Sequence, residues 1–272
     1  MELNRKDTNI EIAKLEQSGN FDSHINPIDW DNCYPVDENF KYIKRGLKTK
    51  IKYFFYNLFE IQPFIKKINH DFKTIIHGQE NLNGITSAIA TCNHVHKFDC
   101  LVIINALSKN HKVYVTAAPF NNQKGHFGDL MRAGGLMPLS DNLSAMRNFN
   151  IAIENYLNKK SLIVFYPEQA MWMYYRKPRP YKDGAYHYAA KHNKPLVPLF
   201  ITFEDDKDLD EEGLPKQNFH IHIMKPIYPK KELSFKENIK YLKEENAKAT
   251  KAKYEEFYNK PLVYTTKKEA TN

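Results

Sequence analysis

The run Asn93-His94-Val95-His96-Lys97-Phe98-Asp99 holds the residue types from which a general base is built. An imidazole accepts a proton near neutrality. A carboxylate held against one ring nitrogen fixes the tautomer and leaves the other nitrogen free to act. The setting fits this chemistry, because an apolar β-like run, Ser87–Cys92, ends just before His94 and a helix-like stretch opens near His96 or Lys97. His94 is therefore expected at the carboxyl end of a strand, where ligand sites of open α/β sheets gather. Asp99 is expected in the first helical turn, where exposed amides favour a carboxylate. A histidine followed five residues later by an aspartate is by itself a weak signal.

Other readings of the same run are less well supported. His94 and His96 form an HxH pair, but the further histidine of the HxHxDH metal type is absent, so no metal is expected and His96 lines the site or faces solvent. Cys92 ends an apolar strand and reads as buried filler rather than as a nucleophile. With Cys33 and Cys100 it makes neither a metal spacing nor an even disulfide set, which points to a reducing, intracellular compartment. His220 and His222 alternate on a β-like run as one face of an edge strand, and Trp172, Tyr174 and Tyr175 read as packing, as a border of the site or as part of an interfacial belt.

The elements that must position His94 alternate in the βαβ manner. Strands are expected at Thr74–His77, Ser87–Cys92, Lys112–Ala117, Leu162–Tyr166, Leu196–Thr202 and Phe219–Lys225. Helices are expected at Lys97–Lys109, Gly125–Arg132, Leu143–Asn158, Lys182–His192 and Phe235–Tyr258. The acidic run Glu204–Gly213 reads as a surface loop, and TTKKEATN as a frayed tail. This pattern predicts an α/β fold, a mixed sheet flanked by helices, over residues 74–272. Residues 1–73 precede it as a polar leader followed by a basic, aromatic helical segment.

The 272-residue chain carries a formal net charge of +8, and residues 41–73 supply most of it. Lys41, Lys44, Arg45, Lys48, Lys50, Lys52, Lys66, Lys67 and Lys73 face only Glu60 and Asp71 there, interleaved with Tyr53, Phe54, Phe55, Phe59 and Phe64. Such a segment reads either as an interfacial anchor on anionic lipid or as a helix packed on the main domain. No run approaches the ~18–20 apolar residues that span a bilayer, and no secretory signal opens the sequence. Nothing resembles a zinc finger, a helix-turn-helix or an RNP run, so no nucleic-acid partner is expected.

Beyond His94 and Asp99, the order HGQENL, NHVHKFD, GGLMPLS, VFYPEQ and KPLVP, within Thr74–Thr202, resembles the lysophosphatidate-type glycerolipid acyltransferases, whose signature is an NHxxxxD motif. The resemblance implies a glycerolipid acyltransferase-like fold and O-acyl transfer from acyl-CoA or acyl carrier protein to a lysolipid hydroxyl, with no cofactor. His94 would be the base and Asp99 its partner. Asn93, Glu168 and Gln169 would meet the acceptor, and backbone amides near the strand end or at Gly134–Gly135 would stabilise the oxyanion. Attachment is implied to be peripheral, on the cytoplasmic face of the membrane.

Two departures stand out. The family's Pro-Glu is usually followed by Gly-Thr-Arg, whereas Gln169, Ala170 and Met171 follow Glu168 here. Ser140 and Asp141 stand where an arginine usually follows the glycine pair. Either Arg176, Lys177 and Arg179 supply the charge for a phosphate, or the acceptor is a glycolipid or surface-polymer sugar. The rival from another class is a non-catalytic basic protein that binds membrane or nucleic acid.

Overall fold

Strand-forming runs of Ala, Ile, Leu and Val fill the centre of a seven-stranded mixed sheet in the computed structural model, which describes residues 3–44, 46–109 and 111–266. Arg45 and most of the terminal TTKKEATN run lie outside the described residues. In chain order the strands are β1 (Ile75–His77), β2 (Ala88–Thr91), β3 (Lys112–Ala117), β4 (Leu136–Pro138), β5 (Ser161–Phe165), β6 (Leu196–Leu209) and β7 (Pro215–Ile223). They lie side by side as β1-β7-β6-β2-β5-β3-β4, with every neighbouring pair parallel except β6 and β7.

Alternation along each central strand feeds two cores. Ala88, Ala90, Leu162 and Val164 face one side with Val102, Ile103, Ala106 and Leu107 of α4 (Asp99–Leu107). Ile89, Ile163 and Phe165 face the other with Phe149, Ala152 and Ile153 of α6 (Leu143–Asn158), Tyr186 and Ala189 of α7 (Gly184–Lys191) and Leu242 of α8 (Phe235–Tyr258). Both faces are covered, so the strands read as unbroken apolar runs. α5 (Gly125–Ala133) flanks the β3–β4 edge.

The acidic run expected to be a loop is largely strand. β6 continues to Leu209, pairing Glu204 with Asn218 and Asp205 with Gln217. Its charges are tolerated because they find cations on other segments: Asp205 pairs with Arg176, Asp206 with Lys73 and Asp210 with Arg5.

The leader also carries more structure than its polarity implies. α1 (Arg5–Ser18) is capped by Asn4, whose side chain accepts from the Asp7 N–H, and stops at Gly19 in the left-handed region. From there the chain crosses the site side of the sheet. Trp172 Nε1 donates to Ser23 O, Asn122 Nδ2 donates to Tyr34 O, and Tyr42 Oη donates to Pro138 O. α2 (Leu47–Tyr56) then runs through a π-turn, Asn57–Ile61, into α3 (Gln62–Asp71). Ile61, Ile65 and Ile68 pack inward, whereas Leu47, Ile51, Phe54, Phe55, Leu58 and Phe59 are exposed. No helix among the described residues is long and apolar enough to cross a membrane.

Glu16 fastens α1 to the rest of the chain. Its buried carboxylate accepts from Lys177 Nζ at 2.6 Å, Tyr175 Oη at 2.9 Å and the Thr265 N–H at 2.7 Å. Burial opposes the charge, but these donors outweigh it and hold the carboxyl below its ordinary value. A depressed folded-state pKa stabilises the fold above the ordinary carboxylate range, and that contribution disappears as pH falls through the folded value. Glu16→Gln is therefore expected to lose about 1.5–3 kcal/mol at pH 7, the usual worth of hydrogen bonds to a charged group. In thermal melts across pH, the gap to the parent protein should close below about pH 4.

Candidate active site

β2 is pinned at its carboxyl end before the chain turns. The Cys92 N–H donates to Phe165 O, and the Asn93 amide makes a two-way clip to β6, accepting from the Ile201 N–H at 2.8 Å and donating to Ile201 O at 3.0 Å. With both polar atoms committed and the side chain buried, Asn93 is a strand clip rather than an acceptor contact.

His94 follows, with Nδ1 at 2.8 Å from Asp99 Oδ2. The same oxygen accepts from the Val95 N–H at 2.9 Å and the His96 N–H at 3.2 Å, while Oδ1 accepts from Tyr166 Oη at 2.7 Å. Asp99 is the first residue of α4, so the turn wraps its amides around the carboxylate that opens the helix. Burial opposes the charge on Asp99, yet positive charge on His94 and the hydrogen bonds from His94, Tyr166 and Val95 prevail and hold its pKa below the ordinary value. An acceptor-only carboxylate fixes the proton on His94 Nδ1 and leaves Nε2 as the ring's acceptor nitrogen. About a quarter of the His94 side chain is open to solvent.

Tyr166 is the site residue that sequence reasoning missed. Its ring stacks on the His94 imidazole, centroids 4.2 Å apart, while burial keeps its hydroxyl protonated and able to donate to Asp99. The only sequence signal was its place at the end of β5, beside β2.

Glu168 and Arg179 stand behind this group, with side chains 0% and 1% exposed. Glu168 Oε2 accepts from Arg179 Nη2 at 2.9 Å, from Nε at 3.1 Å and from the His94 N–H at 3.2 Å; Oε1 accepts from the Arg179 N–H at 2.8 Å. Arg179 also donates to Phe21 O at 2.9 Å and to Ala170 O, and its ring neighbour is Trp172. Trp172 and Tyr174 in turn donate their backbone N–H groups to His94 O and Val95 O. Glu168 thus holds the His94 peptide, and Arg179 balances Glu168; neither reaches out to a ligand.

The other expected phosphate ligands are also committed within the chain. Arg176 pairs with Asp205 and with Gln217 Oε1 at 3.0 Å, and Lys177 pairs with Glu16. Gln169 is exposed on the turn after β5 with φ +64°. Gly135 is not brought to the pair. It opens β4, three strands from β2, and its φ of +102° and close approach to Val113 O, 2.7 Å from where a Cβ would sit, account for a glycine there. Backbone fit therefore replaces the expected oxyanion role. His96 is buried among Phe72, Phe98, Tyr174 and Phe219, accepts from the Phe98 N–H, and is pushed down to about 4 by that burial. Among the described residues no cluster of three or more histidine, cysteine or acidic side chains could hold a metal.

Residues 73–202 match the family model described as Acyltransferase. No curated protein matches the sequence. Among solved structures, the chain is similar to the 1-acyl-sn-glycerophosphate (LPA) acyltransferase PlsC of Thermotoga maritima, at 21% identity and a TM-score of 0.54, over 82% of this chain and 87% of that one. The seven-stranded mixed sheet is that protein's fold.

The Tyr166–Asp99 bond gives a test that spares the ring. Tyr166→Phe should keep the stacking but lose one hydrogen bond to a charged group, about 1.5–3 kcal/mol. The expected outcome is a fall in kcat of about tenfold or more in steady-state acyl-transfer assays, with the protein still folded and its melting temperature lowered by several degrees.

Proposed function

We propose, from the match of residues 73–202 to the acyltransferase family model, that the chain moves a fatty acyl group from a thioester donor to a hydroxyl of a lysophospholipid-type acceptor. The observation that carries this reading is the 2.8 Å pair of His94 Nδ1 and Asp99 Oδ2 at the carboxyl end of β2, inside the matched segment. His94 Nε2 takes the proton of the acceptor hydroxyl as its oxygen attacks the thioester carbonyl, and Asp99 stabilises the imidazolium that forms. Collapse of the tetrahedral intermediate expels the thiolate, which recovers the proton from His94. The acceptor is the nucleophile, so no acyl-enzyme is formed. The donor in this proposal is acyl-CoA or acyl carrier protein.

A second reading, transfer to an acceptor without a phosphate such as a glycolipid or surface-polymer sugar, is favoured by one observation. Arg176, Lys177 and Arg179, the cations that follow Glu168 most closely in sequence, are each paired with an acid of the same chain.

The same proposal places the protein on the cytoplasmic face of an anionic membrane. It is supported by the stripe Leu47, Ile51, Phe54, Phe55, Leu58 and Phe59, which faces away from the core beside exposed Lys48 and Lys50. Apolar burial of such a stripe together with surface cations gives reversible attachment.

His94→Ala should reduce transfer from a labelled acyl thioester by about a hundredfold to ten-thousandfold without unfolding the protein, the range for loss of a general base. Parent-like turnover in a folded variant would remove His94 from the reaction. Running the parent enzyme against lysophosphatidate, other lysolipids and glycolipids separates the two acceptor readings. Product from lysophosphatidate alone supports the first, and product from glycolipids alone the second. For the membrane, Phe54→Ser with Phe55→Ser and Phe59→Ser should abolish cosedimentation with phosphatidylglycerol vesicles. Lys48→Gln with Lys50→Gln should weaken it and make it less sensitive to salt.

A further inference from the structure

We infer that the leader turn bearing Trp30, together with Phe127 of α5, is a second lipid-contacting patch, so that the protein meets a bilayer through the leader and α5 as well as through α2. This rests on the membrane attachment proposed above and adds to it residues outside the basic aromatic segment.

Trp30 is 59% exposed and Phe127 50% exposed, whereas the other tryptophan, Trp172, is wholly buried. Exposed aromatics on a loose turn would carry little meaning, but this turn is fixed. The Lys124 N–H donates to Asn32 O at 2.9 Å, the Tyr34 N–H donates to Asn122 O at 2.8 Å, and Lys124 Nζ donates to Asp31 O at 2.8 Å. The Trp30 ring meets Phe120 edge-on, centroids 5.8 Å apart. A bulky apolar ring mounted on a hydrogen-bonded frame and left in water is the arrangement of an interaction site.

The frame is continuous with the proposed anchor. Residues 120–124 lead directly into α5, which presents Phe127 in its first turn. α5 is joined to α2 and the π-turn by Lys52–Asp129 at 2.6 Å, His126–Glu60 at 2.6 Å and the edge-on rings of Tyr56 and His126. The acids of this joint are committed to those pairs and to Arg132, so exposed Lys48, Lys50 and Lys124 present positive charge towards a partner. Asp29 and Asp31 flank Trp30, so apolar burial rather than charge drives its own contact. The cations of α2 and Lys124 meet anionic headgroups, while the indole, with its apolar body and polar N–H, partitions at the headgroup boundary whatever the lipid charge.

The protein carries its own reporter, because Trp30 and Trp172 are its only tryptophans and only Trp30 is accessible. The experiment records emission of the full chain with vesicles of phosphatidylglycerol and phosphatidylcholine, plain or containing brominated acyl chains, beside cosedimentation. The expected result is a blue shift on binding and quenching by brominated lipid, both lost in Trp30→Phe. Trp30→Ser with Phe127→Ser should weaken vesicle binding about tenfold or more while melting stays that of the parent. The conservative Trp30→Phe variant serves as the control should the double variant misfold.

Cosedimentation with unshifted, unquenched Trp30 would overturn this inference and leave the α2 anchor standing. Absence of cosedimentation would overturn both, while thioester turnover on a soluble short-chain acceptor reports separately on the enzyme. A concentration-dependent shift without vesicles would assign the patch to a second copy of the chain and overturn the lipid assignment.

Discussion

Glu168 and Arg179 have both left water, at a cost of several kcal/mol each. The fold offsets that cost by giving nearly every polar atom of the pair a second task. Glu168 accepts from the His94 N–H, and Arg179 donates to the carbonyls of Phe21 and Ala170. Four stretches of chain converge on one pair of charges: the turn after β2, the turn after β5, the 172–179 segment and the leader. Removing either partner would strand the other in the interior, a loss of roughly 3–5 kcal/mol in a protein whose total stability is expected to be of order 5–15 kcal/mol. The orientation of His94 thus depends on an ion pair that has no evident contact with solvent.

Asp99 serves a similar purpose on the other side of the imidazole. Three of its four described donors come from within five residues, so most of its environment is made locally as the chain turns from β2 into α4. The fourth, Tyr166, arrives from β5 and ties that local knot to the neighbouring strand. Rigid behind and partly open in front, the group leaves one imidazole nitrogen of His94 without a hydrogen-bond partner among the described residues.

This division explains what the sequence disclosed. His94 and Asp99 were legible because the motif is compact and lies at a strand-to-helix junction that period-2 and period-3.6 apolar patterns mark out. Tyr166 was not, since its partner lies 67 positions away. Asn93 and Glu168 stood out through the motifs of the resemblance and Arg179 as one of three closely spaced cations, but sequence could not show that their partners were other parts of the same chain. β4 escaped notice because three residues ending in proline carry little strand signal. The outer half of β6 was hidden by its charges, whose partners Arg5, Lys73 and Arg176 are remote. α1 was obscured because its buried positions, Thr8, Ile12 and Glu16, make only a thin stripe, although Asn4 and Gly19 marked its ends.

The meeting of Glu16 with Thr265 spans 249 positions. A chain made from its amino end produces α1 long before Thr265. Until residues 175 and 177 have been made the carboxylate of Glu16 has only water to turn to, and after that only Tyr175 and Lys177. The central strands β2, β3 and β5 can pair as soon as residue 165 has emerged, but the strap formed by α1 reaches its full set of bonds only after α8 has docked. Vectorial assembly therefore places completion of the segment that supports His94 after pairing of the sheet, and a nascent chain would hold a finished sheet before it held a finished site.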